Sequence, residues 1–177
     1  MNKLIQLILI SIILASCQKD EAISPFVWPY WGDASAFKNG VIWKPKVIGI
    51  RDEENNERYN LVFDIYNDKD FLRNNLTIHG IELGKIKIFP INSDSVPQPV
   101  SSLFATILED GDVLGDVFKL DKTKDNTVEI TEISGNEIKG KFTATLIRDT
   151  SRPKYLESSD TLRFTDGTFH TRIIKPR

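Results

Sequence analysis

The chain has 177 residues, with 23 Lys+Arg against 25 Asp+Glu and a formal charge of −2. So weak an acidic balance gives no general pull toward nucleic acid or anionic lipid, and no nucleic-acid partner is expected. The single cysteine excludes an intrachain disulfide, while the length suffices for one domain with a core of its own.

The first predicted element lies outside the fold. Residues 1–3 are a short basic start, and residues 4–15 (LIQLILISIILA) are almost wholly apolar. Twelve helical residues reach about 18 Å against a hydrocarbon core of about 30 Å. The run is therefore too short to span a bilayer and fits the apolar section of a secretory signal. Leu14-Ala15-Ser16-Cys17 resembles a bacterial lipobox. The resemblance implies that the Cys17 sulfur receives a diacylglyceryl group, that cleavage leaves Cys17 as the new N-terminus, and that its amine is acylated too. Each buried methylene contributes about 0.8 kcal/mol, so two or three chains anchor firmly where one would not. Gln18, Lys19, Asp20 and Glu21 resemble the surface-export tag of Bacteroidota lipoproteins. That implies a lipid-anchored protein in the outer leaflet of the outer membrane, with the membrane as its first partner. The expected organisation is a lipoprotein signal peptide over 1–16, a lipidated N-terminus and tether over 17–32, and a single β domain over 33–177.

Within the tether, PFVWPYW at residues 25–31 is unusually aromatic, and its prolines forbid regular helix or a central strand. Phe26, Trp28, Tyr30 and Trp31 are candidate binding residues, as a stacking platform for a glycan or a protein. The competing expectation is that the segment folds back and plugs the end of the domain. Asn39-Gly40 sits between apolar residues, and both residues accept the positive φ of a tight hairpin turn. A strand follows at 47–50, then a solvated loop or short helix over 52–58 (DEENNER).

Residues 59–65 alternate, with Tyr59, Leu61, Phe63 and Ile65 on one face. The polar stretch 67–75 suggests one helical turn near Asp70. Strands are predicted at 76–81 and 85–89 around Gly84, then a long loop over 91–102 carrying Pro97 and Pro99. Further strands are predicted at 103–108, 113–120 and 127–133. After a turn at 134–137 comes a cleanly alternating strand over 138–146, even positions inward. A loop over 149–159 leads to 162–164 and 169–174, joined by a turn at Asp166-Gly167. About ten short strands spaced by turn signals predict an all-β, antiparallel sandwich, with a closed or partly open barrel as the alternative.

Three pieces, Asn39-Gly40-Val41-Ile42-Trp43, the run from Val128 through Ala144, and Thr165-Asp166-Gly167-Thr168-Phe169, resemble a family of small Bacteroidota surface lipoproteins known as a domain of unknown function. The resemblance covers most of residues 36–174. It implies an extracytoplasmic β domain and carries no catalytic residue across. In physical terms, Gly140 is expected to leave room beside a bulky neighbour, and Gly167 to supply a turn.

The chemistry-bearing residues form no catalytic pattern. His79 and His170 fall in predicted strands without zinc-ligand spacing, and there is neither a nucleophile elbow nor a glycine-rich phosphate loop. No cofactor or metal is therefore expected. Residues 121–132 place acids or hydroxyls at several positions of a calcium loop, but with Asn126 where glycine belongs, so a plain hairpin loop is the expectation. Asp52, Glu53, Glu54, Asp64, Glu109, Asp110 and Asp112 are the candidate acids for glycoside cleavage. Lys85, Lys87, Lys139 and Lys141 read as edge-protecting cations. The functional expectation is a non-catalytic binding or assembly module for a glycan, a host protein or a membrane-protein partner. Its loops 52–58, 91–102 and 149–159 are the contact candidates. The alternative is a carboxylate-dependent hydrolase of surface polysaccharide or peptidoglycan.

Replacing Cys17 by serine is expected to abolish incorporation of labelled palmitate and to release the protein from the membrane fraction. Label retained by the variant would refute lipidation at this residue.

Overall fold

A computed structural model describes residues 29–91, 101–108, 113–155 and 159–176. Eleven strands occur among them and no helix. They are β1 (Gly32–Lys38), β2 (Val41–Trp43), β3 (Lys46–Arg51), β4 (Arg58–Tyr66), β5 (Leu72–Glu82), β6 (Ile88–Pro90), β7 (Ser101–Leu108), β8 (Val113–Leu120), β9 (Thr127–Ser134), β10 (Glu137–Arg148) and β11 (Thr161–Ile174). The all-β class expected from the alternation is what the chain forms.

All eleven strands belong to one hydrogen-bonded sheet, and its ladder falls into two antiparallel runs. One is β2-β1-β11-β10-β9-β6. The other is β3-β4-β5-β7-β8. They join at opposite ends of the β10–β11 pair. At one end Ile173 and Ile174 of β11 run parallel to Gly49 and Ile50 of β3. At the other, residues 146–148 of β10 pair with 118–120 of β8. These two junctions close the ladder into a ring through β11-β3-β4-β5-β7-β8-β10, the pairing of a sandwich whose strands change sheets at its corners or of an open barrel. The parallel corner is the one departure from antiparallel pairing among the described strands.

The core lies between the two runs. Even positions of β10 face inward, as do Tyr59, Leu61 and Phe63 of β4. Phe63 and Phe142 meet across the sandwich at 5.0 Å between ring centroids, and Phe104 meets Phe164 at 5.8 Å. Burying each such ring contributes roughly 1.5–3 kcal/mol, which makes this aromatic layer the main stabilising contact between the runs. Gly140 admits it: a Cβ there would fall 2.4 Å from Cζ of Phe169 and 2.2 Å from the Glu129 carbonyl. The turn at Asn39-Gly40 forms as expected, with φ of 51° and 79° joining β1 to β2.

Besides the strand expected at 85–89, of which only the end joins β6, four local expectations change. Asp166-Gly167 is not a hairpin turn. β11 runs unbroken through it, and a bulge at 165–166 absorbs Asp166 at φ 52°. Gly167 is needed for closeness instead, since a Cβ would lie 2.6 Å from Phe142. The expected helical turn near Asp70 is a tight turn held by Asn67, whose side-chain oxygen accepts from the Lys69 and Phe71 amides. β1 opens at Gly32, inside the stretch read as tether.

The fourth is the loop 121–126, which is no hairpin, because β8 and β9 do not pair with each other. They lie one after the other along the same edge of β10, and the loop crosses the gap between them. Asn126 fills that gap. Its side-chain oxygen accepts from the Thr145 amide at 2.6 Å, and its amide group donates to the Asp121 and Lys124 carbonyls. The Asp121 amide completes the bridge by donating to the Thr145 carbonyl. Thr171 does the same where β1 gives way to β3 along β11. Fully buried, its hydroxyl lies 2.9 Å from the Trp31 carbonyl and 3.1 Å from that of Val47.

Both bridges hold backbone groups that would otherwise be buried without partners. Asn126→Ala and Thr171→Val are each expected to cost about 1–3 kcal/mol in urea unfolding. A cost below about 0.5 kcal/mol for both, as at an ordinary surface position, would show that the gaps need no bridge.

Candidate functional site

Of the residues singled out in the sequence, Cys17, Gln18, Lys19, Asp20, Glu21, Phe26 and Trp28 lie outside the described residues, as do Glu109, Asp110 and Asp112. Tyr30 and Trp31 are described, and both are half-buried. They turn back onto the domain on either side of the β3–β11 corner.

Tyr30 crosses to the outer face of β4. The in-register triplet Lys46, Asp64 and Asn75 lies there, one residue from each of β3, β4 and β5. The Tyr30 hydroxyl donates to Oδ2 of Asp64 and lies 2.8 Å from the Tyr66 hydroxyl. Asn75 donates to Oδ1 of Asp64 at 2.6 Å, and Thr77 donates to Asn75 in turn. The Lys46 ammonium sits 4.7 Å from the Tyr66 ring centroid. Burial raises the Asp64 pKa, against the hydrogen bonds from Tyr30 and Asn75 and the nearby Lys46 charge. Burial also raises that of Tyr30, with the Asp64 bond adding to it.

Trp31 packs edge-on against His170 and lies under the Arg172 guanidinium, 3.9 Å from the ring centroid. Arg172 reaches Glu137 at 2.8 Å, and His170 stands 3.4 Å from the same carboxylate. The Arg172 hydrogen bond, with His170 behind it, holds Glu137 below the usual carboxylate range.

The end of the domain that carries the β3–β4 loop holds two adjoining concavities. The β3–β4 loop over 52–57 is tied to itself: the Asp52 carboxylate accepts from the Glu54 and Asn55 amides, and Asn55 accepts from the Glu57 amide. The Leu83 amide donates to the Glu57 carbonyl, which fastens the exit of β5 to the loop. An open, polar groove of about 560 Å³ runs between the loop and Glu82, Leu83 and Lys85. Leu83 also walls a smaller and more enclosed cavity of about 180 Å³, reaching in between the two runs. Its sides are Tyr59, Ile133, Ile138 and Ile173, and the turn at Gly135 and Asn136 forms its lip.

Arg51 also lines that cavity. It stands opposite Tyr59 in the ladder, so it continues the inward row of Val47 and Gly49. A cation thus occupies a core-facing position at the end of a strand. Its Nε is buried without a hydrogen-bond partner, and no described residue forms an ion pair with it. The sequence reading missed Arg51 by ending the strand at residue 50. The signal was present in the period of two, which places residues 47, 49 and 51 on one side.

The remaining candidates have ordinary places. His79, in β5, is half-buried with its pKa lowered by burial, and no group of metal-ligating residues occurs among the described residues. In the loop once matched to a calcium template, the Asp121 carboxylate is taken up by Thr123. Lys87, in the irregular segment before β6, pairs with Glu82, and Lys139 of β10 pairs with Glu132 of β9, both pairs exposed. Comparison of the chain with family models, with curated proteins and with solved structures returns no match.

The raised Asp64 pKa means that the folded chain holds this proton more tightly than the unfolded chain. Its contribution is full below the unfolded value of about 3.9 and is lost as pH rises through the folded value. Asp64→Asn is therefore expected to cost more stability relative to the wild type at about pH 4 than at about pH 7, by urea unfolding. An equal cost at both would place the Asp64 proton outside the folding equilibrium.

Proposed function

We propose that this chain is a non-catalytic binding or assembly module, tethered through Cys17 to the outer membrane and displayed at the cell surface. Recognition belongs to the end of the sandwich built from the 52–57 loop, the 83–85 segment and the 134–136 turn. The observation that carries this reading is the pair of adjoining concavities there, one polar and open, one apolar and more enclosed, set at the ends of strands from both runs. Recognition residues on loops fixed by a β scaffold need no large rearrangement to bind. The partner is a glycan, a host protein or a neighbouring membrane protein.

The arrangement of the acids favours binding over hydrolysis. Glycoside cleavage needs two carboxyls facing one cleft at about 5–10 Å. Asp64, the desolvated acid, has both oxygens occupied by Tyr30 and Asn75. Asp52 turns an oxygen onto its own loop backbone.

A photo-crosslinking residue at Asn56, on intact cells, is expected to give discrete adducts, whereas the same residue at Thr150 in the β10–β11 loop at the other end gives none. Protease added to those cells is expected to cut the domain. Adducts only from Thr150, or a domain that protease cannot reach, would refute the assignment.

A further inference from the structure

We propose that the smaller cavity binds a small organic carboxylate with an apolar body, its carboxylate held by the terminal guanidinium nitrogens of Arg51. This rests on the reading of that end as the recognition end and adds the chemistry of what enters it.

Three observations converge. The first is polarity: apart from Arg51 and the lip, the walls are Tyr59, Leu83, Ile133, Ile138 and Ile173, and such walls accept hydrocarbon and give a sugar hydroxyl few partners. The second is size. At about 180 Å³ the cavity is somewhat larger than the roughly 150 Å³ that accommodates benzene in an apolar protein cavity. A single ring or a short alkyl chain therefore fits, and an oligosaccharide does not. The third is charge. Arg51 faces inward with a buried, unpartnered Nε, and arginine keeps its proton under all physiological conditions. The Arg51 Nε is shut off from solvent, and among the described residues no anion pairs with it. The end of a guanidinium, its two terminal nitrogens, presents two parallel donors at the spacing of two carboxylate oxygens. An acid with an apolar tail satisfies all three conditions at once: tail against the isoleucines, head on Arg51.

Such a head group comes either from a free short acid or from the C-terminus of a peptide, and the two differ in what must pass the lip at Gly84, Gly135 and Asn136. The free acid is matched by benzoate and hexanoate, and the peptide end by N-acetyl-leucine.

The test is calorimetric titration of the purified full-length protein, in detergent, with each of these and with benzyl alcohol as the uncharged counterpart of benzoate. Benzoate is expected to bind at least about tenfold more tightly than benzyl alcohol, as charge-assisted bonds dictate. Arg51→Met, which keeps the stem and removes the fork, is expected to erase that preference, and Arg51→Lys to restore only part of it. Ile133→Trp, filling the cavity from its wall, is expected to abolish binding with Arg51 intact. It also keeps the test decisive if the Arg51 variants do not fold. Binding of N-acetyl-leucine in place of the free acids would assign the site to peptide ends, and binding of the free acids alone to small molecules. No heat from any of the three carboxylates up to about 10 mM, or equal affinity for benzoate and benzyl alcohol, would overturn the proposal. Adducts from Asn56 on cells would still stand in that case, so loss of the carboxylate site and loss of the recognition end are separate results.

Discussion

Every sheet that folds over on itself must solve one problem: where a strand trades one neighbour for another, a stretch of its backbone faces the core with no ladder to join. Here the trade happens twice, on β10 and on β11, the two longest strands. Asn126 and Thr171 stand at the two places. A buried amide or carbonyl left unpaired costs about as much as a sizeable share of a small domain's net stability. These two side chains therefore decide whether the corners close, and with them whether two antiparallel runs share one core. The aromatic layer of Phe63, Phe142 and Phe164 supplies more total stabilisation. It would stabilise many arrangements of the same strands equally well; the polar bridges are specific to this one.

Closing the corners makes the two ends of the sandwich unlike. At the β10–β8 end the strands stay paired up to the loop. At the β11–β3 end only two residue pairs join the runs, and the ladder opens just beyond, between Arg51 and the β9–β10 turn. The cavity is the space that this divergence leaves. Its walls are apolar because they continue the inward rows of β4, β10 and β11. Its single charge is there because Arg51 continues the inward row of β3 one step past the packed core. Site and scaffold are thus one construction.

The N-terminal segment marks the same corner from outside. Tyr30 and Trp31 straddle it, one capping the buried Asp64 on the outer face of β4, the other clasped by His170 and Arg172 on β11. Both use an apolar ring to cover sheet surface and a polar contact to fix its position, a division of labour suited to tyrosine and tryptophan. For these two residues, folding back onto the domain describes what the aromatic stretch does.

Alternation with period two was enough to determine the fold class, the inward positions of β4 and β10, and the Asn39-Gly40 hairpin, because these depend only on residues close in the chain. The role of Gly140 was legible for the same reason: a glycine in a strand needs a neighbour too close for Cβ. The register that makes that neighbour Phe169 was not legible. Nor was the continuity of β11, since Asp166-Gly167 has the same residue chemistry in a bulge as in a turn. Asn126 carried the signature of a turn and does a sheet's work, because only the tertiary fold brings Thr145 to it. Arg51 is the clearest case. Its side of the strand is written in the sequence, but whether that side meets packed core or open cavity depends on where β9, β10 and β11, all distant in the chain, diverge from it, and local patterning does not encode that.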